Sequence, residues 1–485
     1  MLGTLKFSSR VQYGRNKRNI PYYQFEPANY QDTKIVVASK KGQTTKIDHY
    51  VSIDIIDNES SPNKGALINI IGPINDYDSN KNYILQKSNI SKKNNIICLT
   101  SKNENLYFEN NFTYSIDPLN SKDIDDAFSY DFDNKILYIH ITDLSELKIE
   151  NFQDLINKSF TFYDDEYNIN MLPNEISENE CSLIENQLRN VISLQINIEN
   201  KTYKFIKMQI KVCKNLTYEE ADSNFENETK WIDMKNNIQS MIGQFNDSHE
   251  FIQNLMIFYN SRFYEILEKK TENYPIRIHK GIKDEKIMNA NISDFIKKKI
   301  CYYAAEYVNN AVSDEKIHYD LNISKYTHAT SPLRRAIDII NQKIAFGNLN
   351  ENIYQCCNII NERNNAFKKA YNEIKLLNLI NDSDNNNKIF EGIVIGFDDF
   401  RIKVYIEELD IVKLIDLFFN STSRIFVVHG EGNHITIVHR STRERVVIKL
   451  YQKVKLLSLI KSYDSKLYKK LKFFIKEPDL ISLLD

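Results

Sequence analysis

The sequence predicts a multidomain α/β protein in which a central α/β domain is flanked by small OB-type β-barrels. Three observations lead there. At 485 residues the chain has room for about three domains of ~150 residues each. Apolar periodicity is helical through the middle and alternating near the end. The polar run Asn381-Asp-Ser-Asp-Asn-Asn-Asn387 separates the two regimes and is the clearest linker in the chain.

Residues 1–95 read as short strands. Gly3-Thr-Leu-Lys-Phe7, Ile35-Val-Val-Ala38 and Leu67-Ile-Asn-Ile-Ile71 are bounded by turn residues such as Gly72-Pro73. The first twenty residues hold Lys6, Arg10, Arg15, Lys17 and Arg18 and no acid, which suits either a solvated basic face or an RNA-backbone contact. After the polar stretch Lys87–Asn95 comes a longer α/β region, 105–382. Its Lys135-Ile-Leu-Tyr-Ile-His-Ile-Thr142 is a buried-strand pattern, while Phe251–Asn260 and Ile353–Ile380 repeat at helical period. Beyond the linker, in 388–485, Ile393, Ile395 and Phe397 alternate, and Ile402, Val404 and Ile406 follow the Asp398-Asp399 turn. Phe426–His429 and His434–Val438 make a second hairpin across Gly432-Asn433. Five or so strands in that length fit an OB-type barrel, a fold that binds single-stranded nucleic acid on one face. Arg440–Lys476 adds twelve lysines and arginines against two acids, a basic tail suited to a polyanion.

Composition narrows the classes. The 63 basic and 65 acidic residues give a net charge of −2, which excludes a globally cationic coat protein, and 12 glycines with 9 prolines exclude collagen-like and Pro-rich chains. Six cysteines without a C-x-x-C pair argue against a zinc knuckle or a secreted disulfide framework. Met1–Lys6 lacks a signal-peptide core and no run nears 18 apolar residues, so an intracellular, cytoplasmic, membrane-free monomer is expected.

The segment Asp117-Pro-Leu-Asn-Ser-Lys-Asp-Ile-Asp-Asp126 puts four carboxylates, Asp117, Asp123, Asp125 and Asp126, within ten residues. Such crowding is costly unless cations sit among the oxygens, and Mg²⁺ prefers carboxylates while keeping waters. A pair of ions ~3.5–4 Å apart could serve an in-line displacement at phosphorus. Read alone, the loop equally suits a solvated acidic turn; an EF-hand is disfavoured, because its glycine and glutamate are not in place. A second segment, Tyr326-Thr-His-Ala-Thr-Ser-Pro-Leu-Arg-Arg335, begins a helix at Ser331-Pro332 and offers paired guanidiniums to a phosphate. Arg335 also has a local reading, a pair with Asp338.

Together these segments resemble the RNB family, the RNase II and RNase R type exoribonucleases that include the exosome catalytic subunit. Its D-x5-D-x-D-D signature is matched at Asp117–Asp126 and its Y-T-x-x-T-S-P-[IL]-R-R signature at Tyr326–Arg335. Ile139–Ser145, Met171-Leu-Pro173 with Cys181-Ser-Leu183, Leu216–Ala221 and His318–Leu321 are similar to shorter family markers and come in family order. The resemblance implies a hydrolytic 3′-to-5′ exoribonuclease that degrades single-stranded RNA to nucleoside 5′-monophosphates with Mg²⁺, in a two-ion site that Mn²⁺ could also fill. It implies metal roles for Asp117, Asp123, Asp125 and Asp126, a catalytic role for Asp125 with the attacking water, and transition-state stabilisation by Arg334. RNA contacts would come from Tyr163, Tyr218, Gln253, Ser331 and Arg335. The flanking barrels would be one cold-shock-like domain over 1–95 and one S1-like barrel over 388–485, around an RNB catalytic domain over 105–382.

The sequence departs from the pattern at Gln253 and Asn254, where the family has two glutamates, and at Ala336 and Asn341, where it has tyrosine and histidine. A family β-insertion before the Gln253 helix is largely missing. These departures motivate the competing expectation, a catalytically weak or inactive RNA-binding protein on an RNB scaffold, and a third, an exonuclease with relaxed preference for RNA over DNA.

Overall fold

The computed structural model describes residues 1–29, 34–57, 61–99, 106–282, 292–294, 296–297, 302–349, 351–382, 386–398, 401–417, 426–431, 433–439, 443–460 and 470–478. Cys301, the turn residues Asp399 and Gly432, the middle of the linker and the lysines at 461–469 lie outside them. The chain divides into two compact units. One comprises Met1–Ile90, Asp284–Tyr302 and Phe367–Asp485, and the other Ser91–Lys283 and Tyr303–Ala366. Among the described residues no helix is long and apolar enough to cross a membrane.

In the first unit, strands Leu2–Leu5, Tyr22–Pro27, Ile35–Ala38, His49–Asp57 and Asn63–Pro73 form a closed barrel. The last two pair with each other, and His49–Asp57 returns to Leu2–Leu5 to close it. Leu5, Phe7, Phe25, Ile35, Val37, Val51 and Ile53 fill the interior. Gly3 is required by close approach, since a Cβ there would stand 2.2 Å from the Glu26 carbonyl oxygen. A helix, Tyr77–Lys87, follows where the sequence suggests only strands. Its apolar stripe is thin, with Ile84 and Leu85 buried, and the start is set by Asp76, whose carboxylate accepts from Ser79 N at 2.9 Å.

Toward the C-terminus, Ile411–Asp416, Arg401–Ile406, Ile389–Asp398, Lys453–Ile460 and Leu471–Glu477 form a five-stranded sheet in that order. Phe426–Glu431, His434–His439 and Arg445–Lys449 form a separate three-stranded one, with the expected hairpin pairing Phe426 to His439. Phe390, Val394, Ile402, Val404, Ile435, Ile437, Ile448 and Leu456 share one core. Among the described residues no ladder closes these strands into a barrel. Ile393 and Val394 are both buried, on opposite faces as neighbours in a strand are, in different clusters. The alternation expected from Ile393 onward is interrupted by a bulge between Val394 and Gly396, so Ile395 packs with the Ile393 cluster and Phe397 with that of Val394.

The second unit is built on a six-stranded sheet ordered Thr202–Lys211, Leu188–Asn197, Ile136–Thr142, Asp126–Asp131, Thr113–Ile116, Lys214–Leu216. All pairs are antiparallel except the last, where Lys214–Leu216 runs parallel to Thr113–Ile116. Helices Tyr218–Asn227, Thr229–Ile242 and Ser248–Lys270 cover it, with Trp231 ringed by Phe112, Tyr114, Phe128 and Phe225 at 5.0–5.6 Å. Helix Ala336–Phe346 and the first part of Ile353–Asn381 complete the unit around Leu333, Ile337, Ile340, Cys356 and Cys357.

His140, central in its strand, holds hydrogen bonds through both ring nitrogens. Nε2 meets Ser129 Oγ and Nδ1 meets Ser193 Oγ, both at 2.7 Å. With no counter-charge, burial pushes its imidazole down to about 3 from 6.5. Between those values the unfolded chain binds a proton that the folded chain refuses, so this residue's contribution to stability is lost as pH falls through the window, by up to ~1.4 kcal/mol per pH unit. We expect urea midpoints of wild type and His140→Gln to converge as pH drops from 6.5 to 4; a constant gap would contradict this. The comparison of the two proteins is needed because carboxylates raised by burial act with the opposite sign.

Candidate active site

The turn between strands Thr113–Ile116 and Asp126–Asp131 carries the four aspartates, and the backbone pins it at both ends. Asp117 N donates to Leu216 O at 3.0 Å, and Thr142 N donates to Asp125 O at 2.9 Å. Its middle is buckled by Ser182, whose hydroxyl accepts from Ile124 N at 3.0 Å and donates to Lys122 O at 2.6 Å. The Cys181-Ser-Leu183 stretch therefore shapes the acidic loop from outside.

Asp125 is 1% exposed. Its Oδ1 accepts from Leu333 N at 2.8 Å and its Oδ2 from Arg334 Nε at 3.1 Å. Burial pushes its carboxyl up to about 7, with the Arg334 charge and the Leu333 N–H opposing. Asp117 is raised by burial to about 6, against a hydrogen bond with Ser115, and its Oδ2 is buried with no hydrogen-bond partner. Asp126 is pushed well above the ordinary range by burial, and the charges of Asp117 and Asp125 add to it. Three carboxyl groups in one dry region cannot all be ionised without added positive charge. Asp123 accepts a hydrogen bond from the Tyr163 hydroxyl, and its charge is felt by Asp117 and Asp125.

Among the described residues no three His, Cys, Asp or Glu side chains are drawn close enough to hold an ion as they stand. Asp125 is taken up by Arg334 and Leu333, and Asp123 by Tyr163. The bare Asp117 oxygen and the crowded Asp126 carboxyl remain as the groups whose chemistry suits a hard cation.

Arg334 donates from Nη2 to Ser331 Oγ at 3.1 Å, so that hydroxyl orients the guanidinium. Desolvation opposes the charge on Arg334, but Asp125, Tyr163 and Asp126 outweigh it and hold the side chain protonated. Arg335 follows the local reading: its Nη2 donates to Asp338 Oδ1 at 2.8 Å, and Asp338, fully buried, also accepts from Ser331 N at 2.8 Å. This brace within the loop forms because i and i+3 at a helix start place the pair side by side.

Tyr163 is 37% exposed, with its hydroxyl fixed by Asp123. Tyr218 is half-buried, feels the charges of Asp126 and Asp117, and stacks on His249 at 3.7 Å and 9°. Gln253 is exposed on the helix Ser248–Lys270 and makes no hydrogen bond among the described residues, so it is not drawn into the carboxylate group. Sequence reasoning missed Asn260 and His249, and named Asn341 only as a departure from the family pattern. Asn341 donates to Thr327 Oγ1 and to His328 O, both at 2.8 Å, and Asn260 meets the same loop from the long helix. A usable signal was present: a buried amide amid apolar residues, Phe258-Tyr-Asn260 and Asp338-Ile-Ile-Asn341, needs partners.

A family profile described as "RNB domain" matches residues 106–242 and 223–351, together a little over half of the chain. Exoribonuclease 2 of Buchnera aphidicola subsp. Baizongia pistaciae (strain Bp) is 29% identical over 179 residues, covering 34% of this chain and 26% of that protein. Ribonuclease R 2 of Lactococcus lactis subsp. lactis (strain IL1403) is 27% identical over 319 residues, covering 48% of each. The chain thus spans between about a quarter and a half of the length of these relatives. Among solved structures, Mycoplasma genitalium RNase R in complex with ribose methylated single-stranded RNA superimposes with a TM-score of 0.73 at 17% identity, over 98% of this chain and 89% of that one. Yeast Ssd1, a pseudonuclease, superimposes with a TM-score of 0.68 at 13% identity, over 98% and 82%. Both likenesses concern the fold alone, a mixed α/β architecture with a small closed barrel.

Proposed function

The chain belongs to the RNB domain family, and from that premise we propose that it is a metal-dependent hydrolytic 3′-to-5′ exoribonuclease releasing nucleoside 5′-monophosphates from single-stranded RNA. The observation that carries the reading is the ion pair between buried Asp125 and Arg334, beside the crowded Asp117 and Asp126 carboxyls. Asp117 and Asp126 would hold Mg²⁺ or Mn²⁺, with Asp123 joining when Tyr163 gives way and Asp125 joining through lone pairs that Arg334 and Leu333 leave free. A bound ion would supply Lewis acidity to the scissile phosphate and lower the pKa of a coordinated water. Arg334, fixed by Asp125 and Ser331, would present its remaining donors to the phosphate oxygens as charge builds on them. Asp125 would orient the water, and Tyr163 and Tyr218 would stack on bases without regard to sequence. On this reading residues 1–95 act as a cold-shock-like domain and 388–485 as an S1-like, basic strand-holding domain, around a catalytic domain over 105–382. The working form is a cytoplasmic monomer.

Two observations favour a second reading, an inactive RNA-binding protein: both oxygens of Asp125 are engaged by protein donors, and the fold is shared with a pseudonuclease. A 5′-labelled RNA with a free 3′ hydroxyl separates the two, run with Mg²⁺ or Mn²⁺ beside a matching DNA. We expect stepwise shortening of the RNA with release of mononucleotides. Strand retention without shortening under either ion would refute the exonuclease and leave the binding protein.

A further inference from the structure

The loop that bears Arg334 is hydrogen-bonded to the long helix Ser248–Lys270 through the side chain of Asn260. Asn260 is 2% exposed and directs its whole amide at that loop. Its Oδ1 accepts from Ala329 N at 2.8 Å, and its Nδ2 donates to Thr330 Oγ1 and to Tyr326 Oη, each at 3.2 Å. Ala329, Thr330 and Tyr326 are all buried, so these groups have no water to turn to if the amide is removed. The loop has further anchors on other elements. Thr327 Oγ1 donates to Pro275 O at 2.7 Å, Asn341 holds Thr327 and His328, and Asp338 holds Ser331. Two residues after the last of these anchor points the chain delivers Leu333 N, and then Arg334 Nε, to Asp125.

Asn260 also lies seven residues beyond Gln253. Two helical turns separate them, ~10 Å along the axis on nearly the same face. A residue that faces the Arg334 loop is therefore rigidly spaced from one exposed near the start of the same helix.

We propose that Asn260 is a positioning residue for turnover. It registers the Tyr326–Arg334 loop against the helix so that Arg334 meets Asp125, and it acts through Arg334 and not through strand capture. The effect on turnover rests on the exonuclease reading; the effect on the loop does not. Asparagine suits the task because it accepts from a backbone N–H and donates to two hydroxyls at once, whereas leucine, of similar volume, can do neither.

The test pairs kinetics with backbone amide exchange. Asn260→Leu should lower kcat ~10–100-fold, the scale of a small misplacement of a reacting group, with KM for a short RNA changed by less than ~3-fold. Exchange in residues 326–335 should quicken at least ~10-fold relative to wild type, because their protection depends on this anchor. In an Arg334→Ala background the same substitution should cost less than ~3-fold more, as expected for two residues acting as one unit. Asn260→Asp should return kcat to within ~5-fold of wild type, since a carboxylate accepts from Ala329 N–H and both hydroxyls can rotate to donate to it. If Asn260→Leu does not fold, Asn260→Ala carries the same expectations. Unchanged kcat, a loss lying wholly in KM, or full multiplicativity with Arg334→Ala would overturn the proposal. If wild type degrades no RNA, the exonuclease reading fails by itself, and amide exchange alone then decides: unchanged loop exchange in the variant rejects the role of Asn260, and accelerated exchange upholds it.

Discussion

Asp125→Asn should slow the shortening of a 5′-labelled RNA by ~10³-fold or more, the order of loss when one member of a concerted catalytic set is removed, while strand retention stays within ~3-fold. The substitution is nearly isosteric, so packing around a residue 1% exposed is preserved. Leu333 N–H, 2.8 Å away, still finds a carbonyl oxygen. The other half of the new amide turns an N–H₂ group toward Arg334 Nε, two donors where a carboxylate and a guanidinium had met at 3.1 Å. Arg334 loses its charged partner, and the proposed orientation of the water is lost with it. Residual activity within ~10-fold of wild type, measured by gel with both divalent ions, would remove Asp125 from the catalytic set.

Arg334→Ala is expected to be comparably severe for turnover, ~10³-fold, the lower end for an arginine that neutralises charge during phosphoryl transfer. Here a second readout accompanies the first. Taking one partner from a buried ion pair strands the other, at a cost of ~3–5 kcal/mol when both are enclosed. Arg334 is 46% exposed while Asp125 is buried, so the loss in unfolding free energy should not exceed ~3 kcal/mol. Arg334→Lys should recover much of the stability, because it restores a cation near Asp125, but less than ~10-fold of the rate, because an ammonium cannot hold Asp125, Ser331 and a phosphate in one plane. If the lysine variant matches wild type in rate, the planar fork is not what the site uses.

What the sequence disclosed depended on whether the cause was local. The long helices Ser248–Lys270 and Ile353–Asn381 follow apolar spacing, and the Phe426–His439 hairpin follows alternation; both patterns are written within a few residues. The helix Tyr77–Lys87 escaped because its stability comes from a cap and two buried apolar side chains more than from a stripe. The bulge at Val394–Gly396 escaped because an inserted residue shifts the register without changing composition. In the candidate site, the acidic loop and the double arginine were each visible, but nothing near Asp125 announces that Leu333 and Arg334 are its partners. Resemblance to a family assigned both segments to one site, and the structure supplies the pairing and its distances. The polar ends of Arg335 and Tyr163 are held by buried Asp338 and nearby Asp123, and only the first of these pairings is written in local spacing. The second is decided by tertiary placement.

The separation of 209 residues between Asp125 and Arg334 bears on the time at which the pocket can exist. A ribosome working at 5–20 residues per second needs on the order of 10–40 s to pass from one to the other. Through that interval the emerging polypeptide has its acidic turn but no guanidinium to join it, and the tether through Asn260 has no loop to grip. If the finished protein cuts RNA, the transcript being translated is spared by the order of synthesis itself until most of the chain has left the tunnel.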